Sequence, residues 1–454
     1  MDIGLILKQI SGVLVNWPLF ILVIATGVLC TVLFRFIQVR YFMYAWKQIF
    51  QPSKPQTLCE SEVACDEPKG GMTPLQAFIN ALSCSLGNGI IAGVATAIFA
   101  GGPGAALWLI IFGLLLMPVR FAEAFLSMHY AQKHSGKTSL GGPMLYLQDV
   151  IGGKVLSKLY AVLCLLFCFI GGNSIQTNSI RTSLATTFGL SSMLCAIAIT
   201  LFIFYVVFGG AERIVKVSDK IVPVKVVVFC ITMIIMFLYH YKSLGGALLL
   251  ITQSALTPQA ALGGLLGFSL QQALRAGMMR AIFATESGLG TAAILFGSTG
   301  SKAPMKDAIV AMLGTFMSTI ACFLVALAIV ASGVWNSGLN GTELTIAASA
   351  TVFGPLLGGI IITFLAVSFG VGVLVSFAFI TREVWLSLTT GRFVLLFNIL
   401  YCLFAFGGAL IDVKAVWSLG DIILALMLAI NLFGILWLIP VIRNNVIAFG
   451  HQEK

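Results

Sequence analysis

The stretch Ser83-Cys84-Ser85-Leu86-Gly87-Asn88-Gly89-Ile90-Ile91-Ala92-Gly93 lies in the middle of an apolar segment long enough to cross a bilayer. A plain anchoring helix would carry Leu and Ile here. Small residues instead put conformational freedom and exposed backbone at mid-depth. In hydrocarbon a freed N–H or C=O must find a partner, so irregular backbone persists only where it is buried in protein or lines a cavity. A helix broken at that depth is the mark of a site held inside the membrane. The competing reading is a glycine-rich packing seam for a crossing helix. If the stretch is unwound, carbonyls on one side can coordinate a sodium ion and amides on the other can hold a carboxylate. Ser85, Gly87, Asn88 and Gly89 are therefore candidate ion and substrate contacts.

The rest of the chain fits a membrane setting. With 59% hydrophobic and only 9% charged residues, it cannot cover a water-facing surface with polar groups. Apolar runs near 15–36, 74–99, 104–128, 156–184, 190–209, 219–240, 263–297, 306–333, 353–380, 393–411 and 417–442 predict an all-α polytopic protein with about 11 transmembrane helices. Pro223 suits the first turn of the sixth. The net charge of +10 comes from Lys and Arg gathered in alternating short loops, which is membrane topology and not nucleic-acid binding. One set of loops holds Arg35, Arg40, Lys47, Lys137, Lys216, Lys302, Arg392 and Arg443 among others, whereas the opposite set holds Lys8, Arg181, Lys242 and Lys414. That bias predicts a multi-pass protein of the cell (inner) membrane with its N-terminus outside and its C-terminus cytoplasmic. No cleaved signal peptide is expected, because Asp2 and Lys8 precede the first apolar run without a basic leader or small-residue cleavage site.

A second polar interruption, Ala276–Gly290, carries Arg280, Thr285, Glu286, Ser287, Gly288 and Gly290. An ionisable residue at membrane depth is costly unless paired. Arg280 and Glu286 are six residues apart, so direct pairing would need a break between them. Glu286 can instead cap the amides of an unwound turn. Both are read as gating or structural residues, with direct ion or substrate contact by Glu286 kept open. The two interruptions lie about 200 residues apart, each near the start of a block of some five spans. Blocks 74–240 and 263–442 then look like two halves of an inverted repeat, the pattern of a secondary transporter with a midplane site. The remaining pieces are an accessory helix over 1–40, a cytoplasmic linker over 41–73, an external connection over 241–262 and a cytoplasmic tail over 443–454.

A third polar patch runs from Asn173 to Ser179, with Asn173 and Gln176 on one helical face. Amides in hydrocarbon need partners. Gln176 is the favoured substrate contact and Asn173 its neighbour, against a role in interhelical bonding alone. Ser368 and Ser376, in the small-residue stretch 367–378, can supply hydroxyls to a sodium ion. Arg120 and Glu123, three apart, suit a local ion pair. Most cysteines lie in apolar runs and read as small buried hydrophobes. Cys59 and Cys65 stand in a polar loop without the His or second Cys pair that a metal site wants. No resident cofactor is expected, and no clustered nucleophile and base suggests an enzyme. A channel would want rings of charge or a continuous polar lining, which the few intramembrane acids do not form.

Thr73-Pro74-Leu75-Gln76-Ala77, the run from Gly87 to Ala97, Gly101-Gly102-Pro103-Gly104-Ala105 and Gly141-Gly142-Pro143-Met144 resemble the alanine/glycine:cation symporter family. So do Gln176–Ser179, Arg280–Gly290 and Asp421–Asn431, in order over nearly the whole of 70–440. The resemblance implies a sodium-coupled importer of small neutral amino acids, built as a five-plus-five inverted-repeat core with one extra N-terminal helix and two discontinuous helices. It implies backbone contacts to substrate at Gly87 and Gly89, and Gln176 in the pocket. This chain is a divergent member. Gly87-Asn88-Gly89-Ile90 replaces the family's Gly-Thr-Gly-Asn, Ala284–Gly288 replaces Ser-Asn-Glu-Ala-Gly, and Ala378 falls about where a Trp is expected, which widens the implied pocket. The expected partners are a small amino acid, sodium and lipid, with the chain acting as a monomer. A proton-coupled carrier using Glu286, or one for a larger or different solute, is the alternative.

Overall fold

A computed structural model describes residues 16–50, 73–133, 141–256 and 270–452. The loop cysteines 59 and 65, most of the 41–73 linker and the start of the seventh span lie outside these residues. The described chain is helical throughout. Seven of its helices are long and apolar enough to cross a membrane, joined by the shorter apolar helices Trp17–Leu33, Ser192–Val207 and Val394–Leu410. The protein is a polytopic all-α membrane protein.

The first broken helix starts at Pro74, where the Thr73 hydroxyl accepts from the Gln76 amide and the Gln76 side chain accepts from the Thr73 amide. This reciprocal cap satisfies two amides that a helix start leaves free. The helix runs to Ser85, resumes as a wide π-turn over Gly89–Gly93 and continues as Val94–Gly101. The second broken helix comprises Leu270–Thr285 and Thr291–Gly297. The two pack closely, since a Cβ on Gly101 at the end of the first would lie 2.9 Å from the Ala273 Cα of the second. Small residues allow such approach, and close packing is what associates helices in lipid.

Around this pair stand Pro304–Ala331, the 35-residue Pro355–Thr389, Gly210–Tyr239 and the segment Gly153–Phe188. The last is interrupted by a second π-turn, Ile170–Ser174. Three features depart from the sequence reading. Residues 241–256, expected as a connection, form the helix Tyr241–Leu256, and a further helix, Thr342–Phe353, precedes the long Pro355–Thr389. The helix that carries the sixth span begins at Gly210, ahead of the apolar stretch Ile221–Tyr239, so Pro223 sits inside a helix instead of in its first turn. The apolar run marked only the lipid-facing part of that helix, because hydropathy is blind to helix that continues past it.

Candidate functional site

The first helix stops because Leu86 leaves helical geometry, with φ −84° and ψ 62°. Its amide still reaches Leu82 O at 2.7 Å, but the Ile90 amide turns to Gly87 O at 3.0 Å, so the Leu86 carbonyl loses its helical partner. The Asn88 amide is caught from another element, by Gln176 Oε1 at 3.1 Å, while Gln176 Nε2 donates to Gly171 O at 3.3 Å. Gly87 and Gly89 do not take left-handed backbone angles. They are glycines for space: a Cβ at Gly87 would lie 2.3 Å from Val373 Cγ2, and one at Gly89 would lie 3.0 Å from the Phe283 ring.

These pieces line a narrow cavity of about 10 Å³, room for about one water molecule. Ser85, Gly87 and Gly89 line it from the first break, Ala284 and Glu286 from the second, and Gly171 and Gln176 from the π-turn region. Phe167, Phe283 and Phe377 wall it, with ring centroids 6.2 Å (Phe167–Phe283) and 6.1 Å (Phe167–Phe377) apart. An apolar wall around a few polar backbone and amide groups suits a small amphipathic solute. Both helix breaks thus meet at one cavity. The π-turns went unread in the sequence, although Gly171-Gly172 signalled a tolerant backbone; such turns recur at functional sites.

Asn88 is fully buried, and its side-chain oxygen and nitrogen meet no partner within the described protein. Asn173 turns away and donates to Tyr401 O at 2.8 Å. Ala378 is buried but does not line the cavity; its neighbour Phe377 does. The sodium-ligand candidates do not converge: Ser368 donates to Leu365 O of its own helix at 3.0 Å, and Ser376 pairs with Asn80 Oδ1 at 3.3 Å. Ser85 donates to Ala81 O at 2.9 Å, leaving its carbonyl and that of Gly87 as the contacts it can offer.

The second break is clamped. Glu286, Gly288 and Gly290 adopt left-handed angles, with φ 54°, 85° and 78°. The Gly288 and Gly290 amides donate to Glu123 Oε2 at 3.1 and 3.0 Å, and Glu123 is paired with Arg120 at 3.0 Å. Arg120 also donates to the Thr285 carbonyl that ends the half-helix. Asn431 donates to Gly288 O at 2.8 Å, and Tyr160 to Leu289 O at 2.5 Å. The Arg120–Glu123 pair is therefore more than a local contact, because it caps both ends of the break with matching charge. Glu286 accepts from Thr291 Oγ1 at 2.8 Å, so the amide-capping carboxylate is Glu123 and not Glu286. Arg280 pairs with Asp421, at 2.8 and 2.9 Å to its two oxygens, and its guanidinium lies 4.3 Å from the Trp417 ring centroid.

One residue makes contacts that its place near the end of a span did not suggest. Lys225, fully buried on Gly210–Tyr239, donates to Leu86 O at 2.9 Å, to Ser83 O at 3.3 Å and to Ser83 Oγ at 3.4 Å. Its ammonium lies 5.3 Å from the Phe369 ring centroid.

Comparison with known proteins fits this arrangement. The sequence profile described as the sodium:alanine symporter family matches residues 2–454. The chain is 29% identical to the sodium/alanine symporter AgcS of Methanococcus maripaludis, over 100% of this chain and 99% of that one. It is 32% identical to an uncharacterized transporter of Haemophilus influenzae, covering 100% and 98%. It is 27% identical to the probable sodium/glutamine symporter GlnT of Bacillus subtilis, covering 99% and 92%. With a full-length profile match and two broken helices meeting at a buried cavity, this chain belongs to the sodium:alanine symporter family.

Proposed function

We propose that this protein is a secondary active transporter that imports a small neutral amino acid, of alanine or glycine size, by alternating access coupled to a cation gradient. The observation that carries this reading is the cavity shared by both helix breaks, lined by Gly87, Gly89, Gln176 and Glu286. The small volume and three phenylalanine walls favour a short side chain, and relatives named for alanine and glutamine support an amino acid as cargo. In this reading the substrate carboxylate lies against the Asn88–Gly89 backbone, taking the place that Gln176 Oε1 holds on the Asn88 amide, and Gln176 and the unpartnered Asn88 side chain turn to the substrate. The family name suggests sodium as the coupling cation, and a proton is the alternative that the choice of gradient separates.

The element order supports a five-plus-five inverted repeat over 74–240 and 263–442, preceded by one accessory helix. After each break come a long helical stretch, a short helix, a second long stretch, an apolar helix of 16 or 17 residues and a last long helix. Two halves of matched order around a shared site are what alternating access needs, one moving against the other. The N-terminus outside and the C-terminus cytoplasmic follow from the loop charges.

Uptake in proteoliposomes tests the reading, with a panel of small amino acids under an imposed sodium or proton gradient. Alanine or glycine is expected to accumulate above equilibrium under one of the two. No gradient-driven accumulation of any neutral amino acid would remove it.

A further inference from the structure

Resting on that transport reading, the Lys225 geometry carries a statement about the ion. An isolated ammonium inside hydrocarbon is costly, and it persists where acceptors replace its water. An ammonium has three N–H donors and no lone pair, and here it meets three oxygens: Leu86 O, Ser83 O and Ser83 Oγ. A neutral amine could also donate to the two carbonyls and accept from the Ser83 hydroxyl, so the positive charge rests on what else surrounds the nitrogen. Both carbonyls belong to the end of the first half-helix, where the helix dipole is negative. The Phe369 face adds the attraction of its ring for a cation. Among the described residues no carboxylate pairs with Lys225.

The place matters as much as the charge. Freed carbonyls at the end of a broken half-helix are where a transported cation is held in such folds. The opposing helix offers Ser368, Gly372 and Ser376 at four-residue spacing, hence on one face. Gly372 is the residue against the ammonium, since a Cβ there would lie 2.6 Å from Lys225 Nζ. The two serines that would complete an oxygen shell for sodium bond elsewhere, to Leu365 O and Asn80 Oδ1. A hard cation of sodium's kind wants several oxygens and no amine, so the residues present do not fit it at this position.

We propose that the Lys225 ammonium is a built-in cation, which joins the carbonyl end of the first half-helix to the Phe369–Gly372 face and lets this chain work without a sodium ion there. It replaces a diffusible ion by a tethered one. Gly372 is the permissive partner, because any side chain there would push the ammonium out.

Two measurements test this, one of which needs no substrate. Thermal unfolding of the purified wild type is expected to be the same in sodium chloride and in choline chloride of equal ionic strength. That of Lys225→Ala is expected to be lower in choline and to rise with sodium, because a ligand that binds only the folded state raises its stability. Alanine uptake by the wild type is expected to change less than about twofold when sodium is replaced by choline, and Lys225→Ala to lose about tenfold or more in choline, since a buried cation holding two elements has no substitute there. Lys225→Met, which keeps the stem without the charge, serves where the alanine variant does not fold. Stabilisation of the wild type by sodium, or uptake that falls about tenfold without it, overturns the proposal, as does a Lys225→Met that matches the wild type in choline on both readouts. Absence of alanine uptake in every condition counts against the transport reading alone, and the unfolding comparison still decides the role of Lys225.

Discussion

At Gly87 and Gly89 the proposed site rests on the absence of a side chain. Their backbone angles are ordinary, and what makes them glycine is the approach of Val373 and Phe283 to within 2.3 and 3.0 Å of where a Cβ would stand. Gly87→Leu is therefore expected to fill the cavity and push the first break away from Pro355–Thr389. Uptake should fall about tenfold or more while membrane insertion and expression stay near wild type, as a ligand group misplaced by an ångström costs that much. Gly89→Leu should behave alike; normal uptake by both variants would mean that the break is only a packing seam. The sequence pointed to these residues through their pattern but gave the wrong physical reason, flexibility in place of proximity, since proximity belongs to residues 190 or more positions away. Lys225 was hidden by a different error. Counted from the span start near 219 it is the seventh residue, close enough to the span's end to read as a lysine that snorkels. With the helix starting at Gly210 it stands about four turns in, at 3.6 residues per turn.

Among the elements, the two broken helices share a form but not a role. The first leaves the Asn88 side chain without a partner in the described protein and borders the cavity with bare backbone. The second has its freed groups taken by Glu123, Arg120, Asn431 and Tyr160. Glu123 faces two amides, a guanidinium and an amide side chain with no exposure to solvent. Glu123→Gln leaves Arg120 buried without its charge partner, a change that costs about 3–5 kcal/mol. A clearly lowered melting temperature of the detergent-purified protein is expected, and an unchanged one would show that the clamp bears no load. The Arg280–Asp421 pair is a separate device. It ties Leu270–Thr285 to the helix of Trp417, and a Cβ on Gly93, just past the first break, would lie 3.3 Å from Trp417. A bridge in that position suits a gate. Arg280→Asp and Asp421→Arg are each expected to cut uptake strongly, and the double swap to recover part of it, as a coupled pair does in a double-mutant cycle. Purely additive losses would rule out coupling between the two residues. The partner of Arg280 was out of reach of sequence spacing, because it lies 141 residues away.

For the whole molecule, hydropathy was the most legible level: the apolar runs correspond to described helices in order, and unforeseen helices such as Tyr241–Leu256, Thr342–Phe353 and Ile439–Gln452 are ones that need not span. The positions of breaks were legible too, because Gly, Asn and Glu are expensive in hydrocarbon. What closes the breaks was not, because it depends on which distant helices become neighbours. Orientation is set at this same scale, by a sum over loops that no single residue decides. Lys and Arg favour the cytoplasmic face, and the loops on the side of the C-terminus carry most of them. Green fluorescent protein fused after Lys454 is thus expected to fluoresce in cells, and alkaline phosphatase at the same point to be inactive. The same phosphatase inserted beside Lys242, on the opposite face, should be active. The reverse pattern would invert the molecule while leaving every contact within the site unchanged.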